Sequence, residues 1–305
     1  MLEELDQTRL NFEGDSLLLM NISLAVIMFG VALDLKWKDF HYLVHHPKPF
    51  LIGIISQFFM LPFLTWLLVL FIEPLPSVAL GMFLVASCPG GNISNFLTNF
   101  AKGNAALSVS LTAFATLTSI FFTPFNFALW SGLYEPSATL LKSISLEYAA
   151  VFKTVGLILG VPILMGMFVN QTWPNFSLKT SKILKPLSIV IFLAIVLVAF
   201  YSNYHLFLKF IVLIFAWVFF HNLTALFTGY SLARIFGLNH ADTKTITIET
   251  GIQNSGLALV LIFSYFEGLG GMAIIAGWWG IWHIISGLCI ATLWKNYKKV
   301  QKATP

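Results

Sequence analysis

Nine stretches of this chain run for eighteen residues or more between charged side chains: residues 16–33, 49–72, 74–101, 103–134, 154–178, 186–208, 210–233, 245–266 and 268–294. The eighth contains one acid, Glu249, and the others contain no Asp, Glu, Lys or Arg. A bilayer core takes roughly 20 apolar helical residues to cross, so each stretch is a candidate span, the first at the short limit and the fourth long enough to include an external loop. Runs this rich in Leu, Ile and Phe lack the alternation of a membrane barrel, and backbone in lipid must satisfy its own hydrogen bonds, so the predicted element is the helix. The expected fold class is an all-α polytopic membrane protein with nine transmembrane helices.

Composition excludes the soluble alternatives. Of 305 residues, 58% are hydrophobic and 10% charged, and thirty are Phe. So few charges cannot cover a soluble particle of 34 kDa, which rules out a soluble enzyme. The net charge of +4 comes without a basic run threaded by aromatics, so it bears on membrane orientation and not on nucleic acid. Two cysteines, Cys88 and Cys289, are too few for a disulfide framework.

An odd number of spans puts the ends on opposite sides, and the lysines choose the sides. With the C-terminal Lys295, Lys298, Lys299 and Lys302 inside, the loops carrying Lys36, Lys38 and Lys48, then Lys102, then Lys179, Lys182 and Lys185, then Arg234 and Lys244 also fall inside. Thirteen of seventeen basic residues then share one side, leaving out only Arg9, Lys142, Lys153 and Lys209. The acidic N-terminal segment, residues 1–16, is expected outside, and the tail 295–305 in the cytoplasm. No basic n-region or cleavage site points to a removed signal peptide. A bacterial inner membrane is the expected location.

Two spans are interrupted. The third carries Cys88-Pro89-Gly90-Gly91-Asn92-Ile93-Ser94-Asn95, and the eighth carries Glu249-Thr250-Gly251-Ile252-Gln253-Asn254-Ser255-Gly256. Proline removes a backbone donor and glycine weakens the helix, so Pro89, Gly90, Gly91, Gly251 and Gly256 are read as helix breaks that free polar backbone inside the membrane. Such backbone is tolerated only where protein, ions or water satisfy it. The clustered carboxylate, amide and hydroxyl oxygens suit an alkali cation, and no Cys or His arrangement resembles a transition-metal site. Spans three and eight are five apart and therefore run in opposite directions, so a repeat relating spans one to four with six to nine is inverted. Interrupted segments at matching places in two halves point to a secondary transporter's binding site.

At these residues the sequence resembles the bile acid:sodium symporter family, particularly its bacterial members. The matching text includes Ile27-Met28-Phe29-Gly30, His46-Pro47-Lys48, Gln57, the two breaks, Ala106-Leu107-Ser108-Val109 with Thr112, and Trp282-His283 with Ser286-Gly287. Asn92 stands where the family often has a hydroxyl residue, Ile120 where it has proline, and the first of the usual ten spans is missing. The resemblance implies a transporter domain over 17–294, with a core of about 47–130 and 206–294 in which the broken helices cross, and a panel of about 17–35 and 148–202. It implies two sodium ions, the first held by Ser94, Asn95, Ser108, Thr112 and Glu249. The second would be held by Gln57, Glu249, Gln253 and the carbonyls of Thr250 and Ile252. The function implied is sodium-coupled import of an organic anion, bile-acid-like or a smaller carboxylate, by alternating access, with Asn254, Asn92 and His283 as substrate contacts. No obligate protein partner is implied beyond the small solute and the lipid.

Each residue also has a structural reading. Glu249 would simply lie at a helix end in headgroup water, which the cost of an intramembrane charge, roughly 2.5 to 3.5 kcal/mol, disfavours. Ser108 and Thr112 would bond back to their own helix, and Gln57 would be interhelical glue. His41, His45 and His46 read as a solvated turn. An intramembrane enzyme is the rival class, but no span carries paired aspartates, His-Glu-x-x-His or Gly-x-Ser-x-Gly. A receptor would need signalling segments, and only eleven residues follow Trp294. A proton in place of sodium at Glu249 is the nearest alternative, disfavoured by the amide and hydroxyl cage. The topology is testable: in a background lacking Cys88 and Cys289, Ser16→Cys and Lys298→Cys should label from opposite faces with an impermeant thiol reagent, and labelling from one face would restore an even count.

Overall fold

Pro76 and Pro174, each just inside a helix start, and three asparagines just before one set much of where this chain changes direction. A computed structural model describes residues 4–9, 14–35, 37–91, 93–143, 148–202 and 204–303. In order the helices are α1 (Glu4–Gln7), α2 (Gly14–Ala32), α3 (Trp37–His45), α4 (Pro47–Ile55), α5 (Leu61–Ile72), α6 (Pro76–Ser87), α7 (Ile93–Phe100) and α8 (Ala105–Gly132). Then come α9 (Glu135–Ser143), α10 (Tyr148–Thr172), α11 (Pro174–Ser202), α12 (Tyr204–Ile235), α13 (His240–Gly251), α14 (Ser255–Tyr265) and α15 (Gly270–Ala303). A π-helical turn, Ser56–Met60, joins α4 to α5 without a break. Among the described residues the regular structure is helical, with two isolated β-bridges.

Four helical runs are long and apolar enough to cross a membrane: Pro47–Ile72, Ala105–Gly132, Val212–Ile235 and Gly270–Asn296. Pro76–Ser87 and Ser255–Tyr265 are shorter apolar helices, each one half of an interrupted span. The asparagine caps are Asn104, Asn239 and Asn254, whose side-chain oxygens accept from Leu107, Asp242 and Leu257 amides at 3.1, 2.9 and 3.0 Å.

Several boundaries differ from those read off the charges. The fourth stretch is one helix of 28 residues, α8, and its turn comes only at the end of the stretch, at Leu133. Residues 154–178 straddle two helices, because Pro174 starts α11 while Lys179 and Lys182 lie inside it, exposed. A lysine can stay in a helix with its ammonium in water, whereas proline is favoured in a first turn and disfavoured beyond it. The helix α15 runs through the expected tail as far as Ala303. His41 and His45 sit on α3, exposed, rather than in a turn.

The N-terminal segment is docked. Leu5 is 1% exposed, the Thr8 carbonyl accepts the Gly270 amide at 2.9 Å, and Arg9 lies 3.8 Å from Glu267. Asp6 Oδ1 accepts the Ser77 amide at 2.8 Å, which matters because Leu75, at the cap position of α6, has no side-chain acceptor. A residue distant in sequence thus supplies the cap, with its negative charge at the positive end of α6. Elsewhere α2, α10 and α11 pack together, and carbonyls in the turn after α2 are taken by neighbours: Asn170 Nδ2 donates to Leu35 at 2.7 Å and Ser177 Oγ to Leu33 at 2.6 Å.

Replacing Asp6 with Ala should destabilise the protein by about 1 kcal/mol, the usual value of a capping acceptor. Asp6→Asn, which keeps an acceptor, should lose less. Thermal melting in detergent checks the order, and equal losses would mean that Asp6 does not act as a cap.

Candidate cation site at the crossing of two broken helices

Residues 88–91 leave the helix after Ser87, and residues 252–254 leave it after Gly251. The two breaks lie against each other as a short antiparallel pair, Gly90 opposite Gln253. The Gly91 amide donates to the Ile252 carbonyl at 2.8 Å, and the Asn254 amide to the Pro89 carbonyl at 2.9 Å. Each interruption therefore satisfies backbone that the other frees. Side chains complete the count: Gln57 Nε2 donates to the Cys88 carbonyl at 3.0 Å, Gln253 Nε2 to Thr250 at 2.7 Å and Asn222 Nδ2 to Gly251 at 2.8 Å. Gly256 lies not in the break but in the first turn of α14.

Beside the crossing Glu249 is 4% exposed, on α13. Ser94 Oγ donates to its Oε2 at 2.7 Å, Thr112 Oγ1 donates to its Oε1 at 2.5 Å, and Ser108 Oγ lies 3.2 Å from Oε2. Asn95 Oδ1 is 2.9 Å from Ser108 Oγ and 3.3 Å from Thr112 Oγ1. The five residues expected around the first cation thus form one knot of side-chain oxygens from α7, α8 and α13. Thr112 also bonds back to the Ser108 carbonyl at 3.0 Å, so the local bond and the bond to Glu249 share one hydroxyl. Among the described residues no cation is paired with Glu249. Gly90 is needed for this approach, because a Cβ there would sit 2.6 Å from Glu249 Oε1.

A second group surrounds Gln57, held on the π-helical turn. Pro62 cannot donate to the Phe58 carbonyl one turn back, and Asn126 Nδ2 takes that carbonyl at 2.9 Å. Gln57 Nε2 also donates to Gln253 Oε1 at 2.8 Å. Gln57 Oε1 is buried with no hydrogen-bond partner. An acceptor left bare in this way costs about 1 to 3 kcal/mol, which a cation would offset. The carbonyls of Thr250 and Ile252 each accept one hydrogen bond already and keep a second lone pair. Among the described residues no hydrogen bond joins Glu249 to either glutamine, so the two groups meet only through the backbone crossing.

Asn254 is half-buried, its Oδ1 spent on the α14 cap and its Nδ2 left as a donor. His283, on α15, is 5% exposed with Nδ1 unpartnered, and no hydrogen bond brings it to Asn254. Asn92 lies outside the described residues. Sequence reasoning missed Ser56, whose Oγ is 2.7 Å from Thr250 Oγ1, and gave no role to Asn222, which also accepts from Ser286 Oγ at 2.6 Å. A polar residue in an apolar span was the available signal for both. No group of three His, Cys, Asp or Glu side chains converges among the described residues.

Residues 21–210 match the sodium bile acid symporter family. The chain belongs to that family. It is 33% identical over 283 residues to the uncharacterized sodium-dependent transporter YocS of Bacillus subtilis, covering 93% of this chain and 84% of that one. It is 30% identical to the human ileal sodium/bile acid cotransporter, over 80% of this chain and 68% of the relative. It is 29% identical to the probable sodium/metabolite cotransporter BASS1 of Arabidopsis thaliana chloroplasts, over 90% of this chain and 66% of the relative. Family membership and the apolar helices make the protein an integral membrane, sodium-coupled transporter.

Gly90→Ala should lower stability by about 1 to 3 kcal/mol, the range for overpacking a closed site. Gly132→Ala, with nothing within 4 Å of the added carbon, should not. Melting of both purified variants tests this, and a Gly90→Ala protein as stable as wild type would mean that Glu249 does not sit against this glycine.

Proposed function

We propose that the protein is a symporter that imports an organic anion together with two sodium ions by alternating access. The observation that carries this is Glu249: a buried carboxylate ringed by Ser94, Ser108 and Thr112, with no cationic side chain paired to it among the described residues. A buried charge without a partner is too costly to persist, and hard oxygens around it suit sodium. The bare Gln57 Oε1 supports the second ion, with Gln253 and the free lone pairs of Thr250 and Ile252 beside it. A proton at Glu249 would leave that glutamine oxygen without a purpose.

Nine spans with an inverted repeat fit the antiparallel meeting of the breaks. A core built on the crossing and a panel of α2, α10 and α11 fit the packing of those three helices on one another. The solute lies between them, its carboxylate meeting Asn254 Nδ2 and the amides at the starts of α7 and α14, with Asn92 and His283 close by. Sodium completes the oxygen cages at the crossing and so favours the state that accepts solute. The relatives' names put a bile-acid-like or smaller carboxylate first among solutes. The lysine-rich loops lie in the cytoplasm of a bacterial cell.

With sodium at about 100 times the dissociation constant of the Glu249 site, filling that site should add about 2.7 kcal/mol of stability over potassium, and Glu249→Gln should lose that gain. Asn254→Ser keeps a capping oxygen and removes the amide donor, so it should cut uptake of the anion while leaving sodium stabilisation intact. Sodium-dependent melting and uptake into proteoliposomes measure both, and retained sodium stabilisation in Glu249→Gln would overturn the reading.

A further inference from the structure

Three consecutive carbonyls at the second break are each taken by a different partner. Thr250 accepts from Gln253 Nε2 at 2.7 Å, Gly251 from Asn222 Nδ2 at 2.8 Å and Ile252 from the Gly91 amide at 2.8 Å. The outer two belong to the proposed second cage, and the middle one does not. A carbonyl and the amide after it share one rigid plane, so holding the Gly251 carbonyl fixes the peptide plane that lies between the two cage carbonyls. Gly251 itself restrains this plane little, since a residue without Cβ has more backbone freedom than any other.

Asn222 reaches that carbonyl from α12. Asn222, Leu226 and Gly229 are four and then three residues apart and share one face of the helix. Leu226 packs on Gly251 where a Cβ would lie, and a Cβ at Gly229 would sit 2.7 Å from the Ile246 carbonyl oxygen. The helix α12 therefore lies close along α13 by shape alone, without needing Asn222 to hold it there. Asn222 is 1% exposed, and a carbonyl only accepts, so the amide nitrogen of Asn222 must face Gly251 and its Oδ1 must face away. Ser286 Oγ, on α15, donates to that oxygen at 2.6 Å. The same hydroxyl lies 3.2 Å from the His283 carbonyl of its own helix. Ser286 thus has a second acceptor, and letting go of Asn222 does not leave its hydroxyl bare. One residue on, a Cβ at Gly287 would sit 2.8 Å from Ile252 Cδ1, so α15 touches the break itself at this level.

The geometry points to Asn222 as a positioning residue for the second sodium ion, with Ser286 as the contact through which α15 governs it. The inference rests on the second cage proposed above. Neither side chain touches the ion. Asn222 sets the peptide plane between the Thr250 and Ile252 carbonyls, and Ser286 keeps the Asn222 amide turned toward it. His283, proposed above as a solute contact, lies one turn before Ser286 on α15. A solute that shifts α15 therefore changes the hold on the cage, and by linkage the ion changes the affinity for the solute.

The test is thermal melting of the purified protein titrated with sodium, with potassium keeping the total salt constant. The growth of stability with the logarithm of sodium counts the ions held, and the concentration at which growth begins reports their affinities. Wild type should hold two ions, and Gln57→Leu, which removes a direct ligand of the second, should hold one. Asn222→Ala and Ser286→Ala should still reach two ions, with the second bound about tenfold and about threefold more weakly, the span of one lost neutral hydrogen bond. Ser286→Thr keeps the hydroxyl and should bind the second ion as wild type does. Ser177→Ala loses a 2.6 Å hydroxyl bond to the Leu33 carbonyl in the panel, and should melt earlier in either salt with both affinities unchanged. If Asn222→Ala does not fold, Ser286→Ala carries the test. An unchanged second affinity in Ser286→Ala, an equal loss in Ser177→Ala, or a Ser286→Thr protein no better than Ser286→Ala overturns the positioning role. One ion in wild type, or two in Gln57→Leu, overturns the second cage and the positioning role with it.

Discussion

Backbone freed inside a membrane must find partners within the protein, and here two interruptions find them in each other. The amides of Gly91 and Asn254 and the carbonyls of Ile252 and Pro89 make a two-bond crossing. Nearby carbonyls are closed from outside the pair, Cys88 by Gln57 and Gly251 by Asn222. Since an unpaired group at this depth costs several kcal/mol, the positions of the π-helical turn, α12 and α15 around the crossing follow from it. Asn222 in turn holds Ser286, so the last helix is tied to the break through two side chains.

The same crossing explains why polar chemistry accumulates at one depth. Glu249 lies three residues before the second break, and Gly90 in the first break leaves room for its carboxylate. Hydroxyls from α7 and α8 then close on it, and their bonds to a carboxylate are stronger than bonds between neutral groups. On the other side the π-helical turn, with Pro62 behind it and Asn126 taking the freed carbonyl, holds Gln57 over Cys88 and Gln253. A wide turn of this kind is uncommon in helices and recurs at functional positions. Here it leaves one amide oxygen bare beside a break.

A transporter that couples ion to solute needs the two to share a structural element. Asn254 and Gln253 are adjacent in the second break, one capping α14 and facing the half-helix start, the other bonded to Gln57. Anything that orders Gln253 therefore acts on the backbone that presents Asn254. That is linkage through a few peptide units, and it requires no long-range wire.

Much of this was legible before any coordinates. The long apolar stretches, the two Gly- and Pro-marked breaks and the lone acid in the eighth stretch are local properties, fixed by side-chain chemistry over a few turns. Helix ends were less so: Pro174 outranked the lysines at 179 and 182, because a charge on a long stem does not end a helix and proline is favoured in a helix's first turn. The acidic N-terminal residues read as a solvated tail, yet Leu5 is buried and Asp6 caps α6, since a cap is a distance in space and Leu75 offers nothing nearby. Asn222 looked like an ordinary polar residue in its own helix, and only packing sets it against the Gly251 carbonyl. The sequence by itself determined which oxygens are present and that two helices must break. Tertiary structure alone decided which breaks pair, which carbonyls are closed and that Gln57 Oε1 is left open, because a hydrogen bond depends on where its partner lies and not on how far along the chain it is.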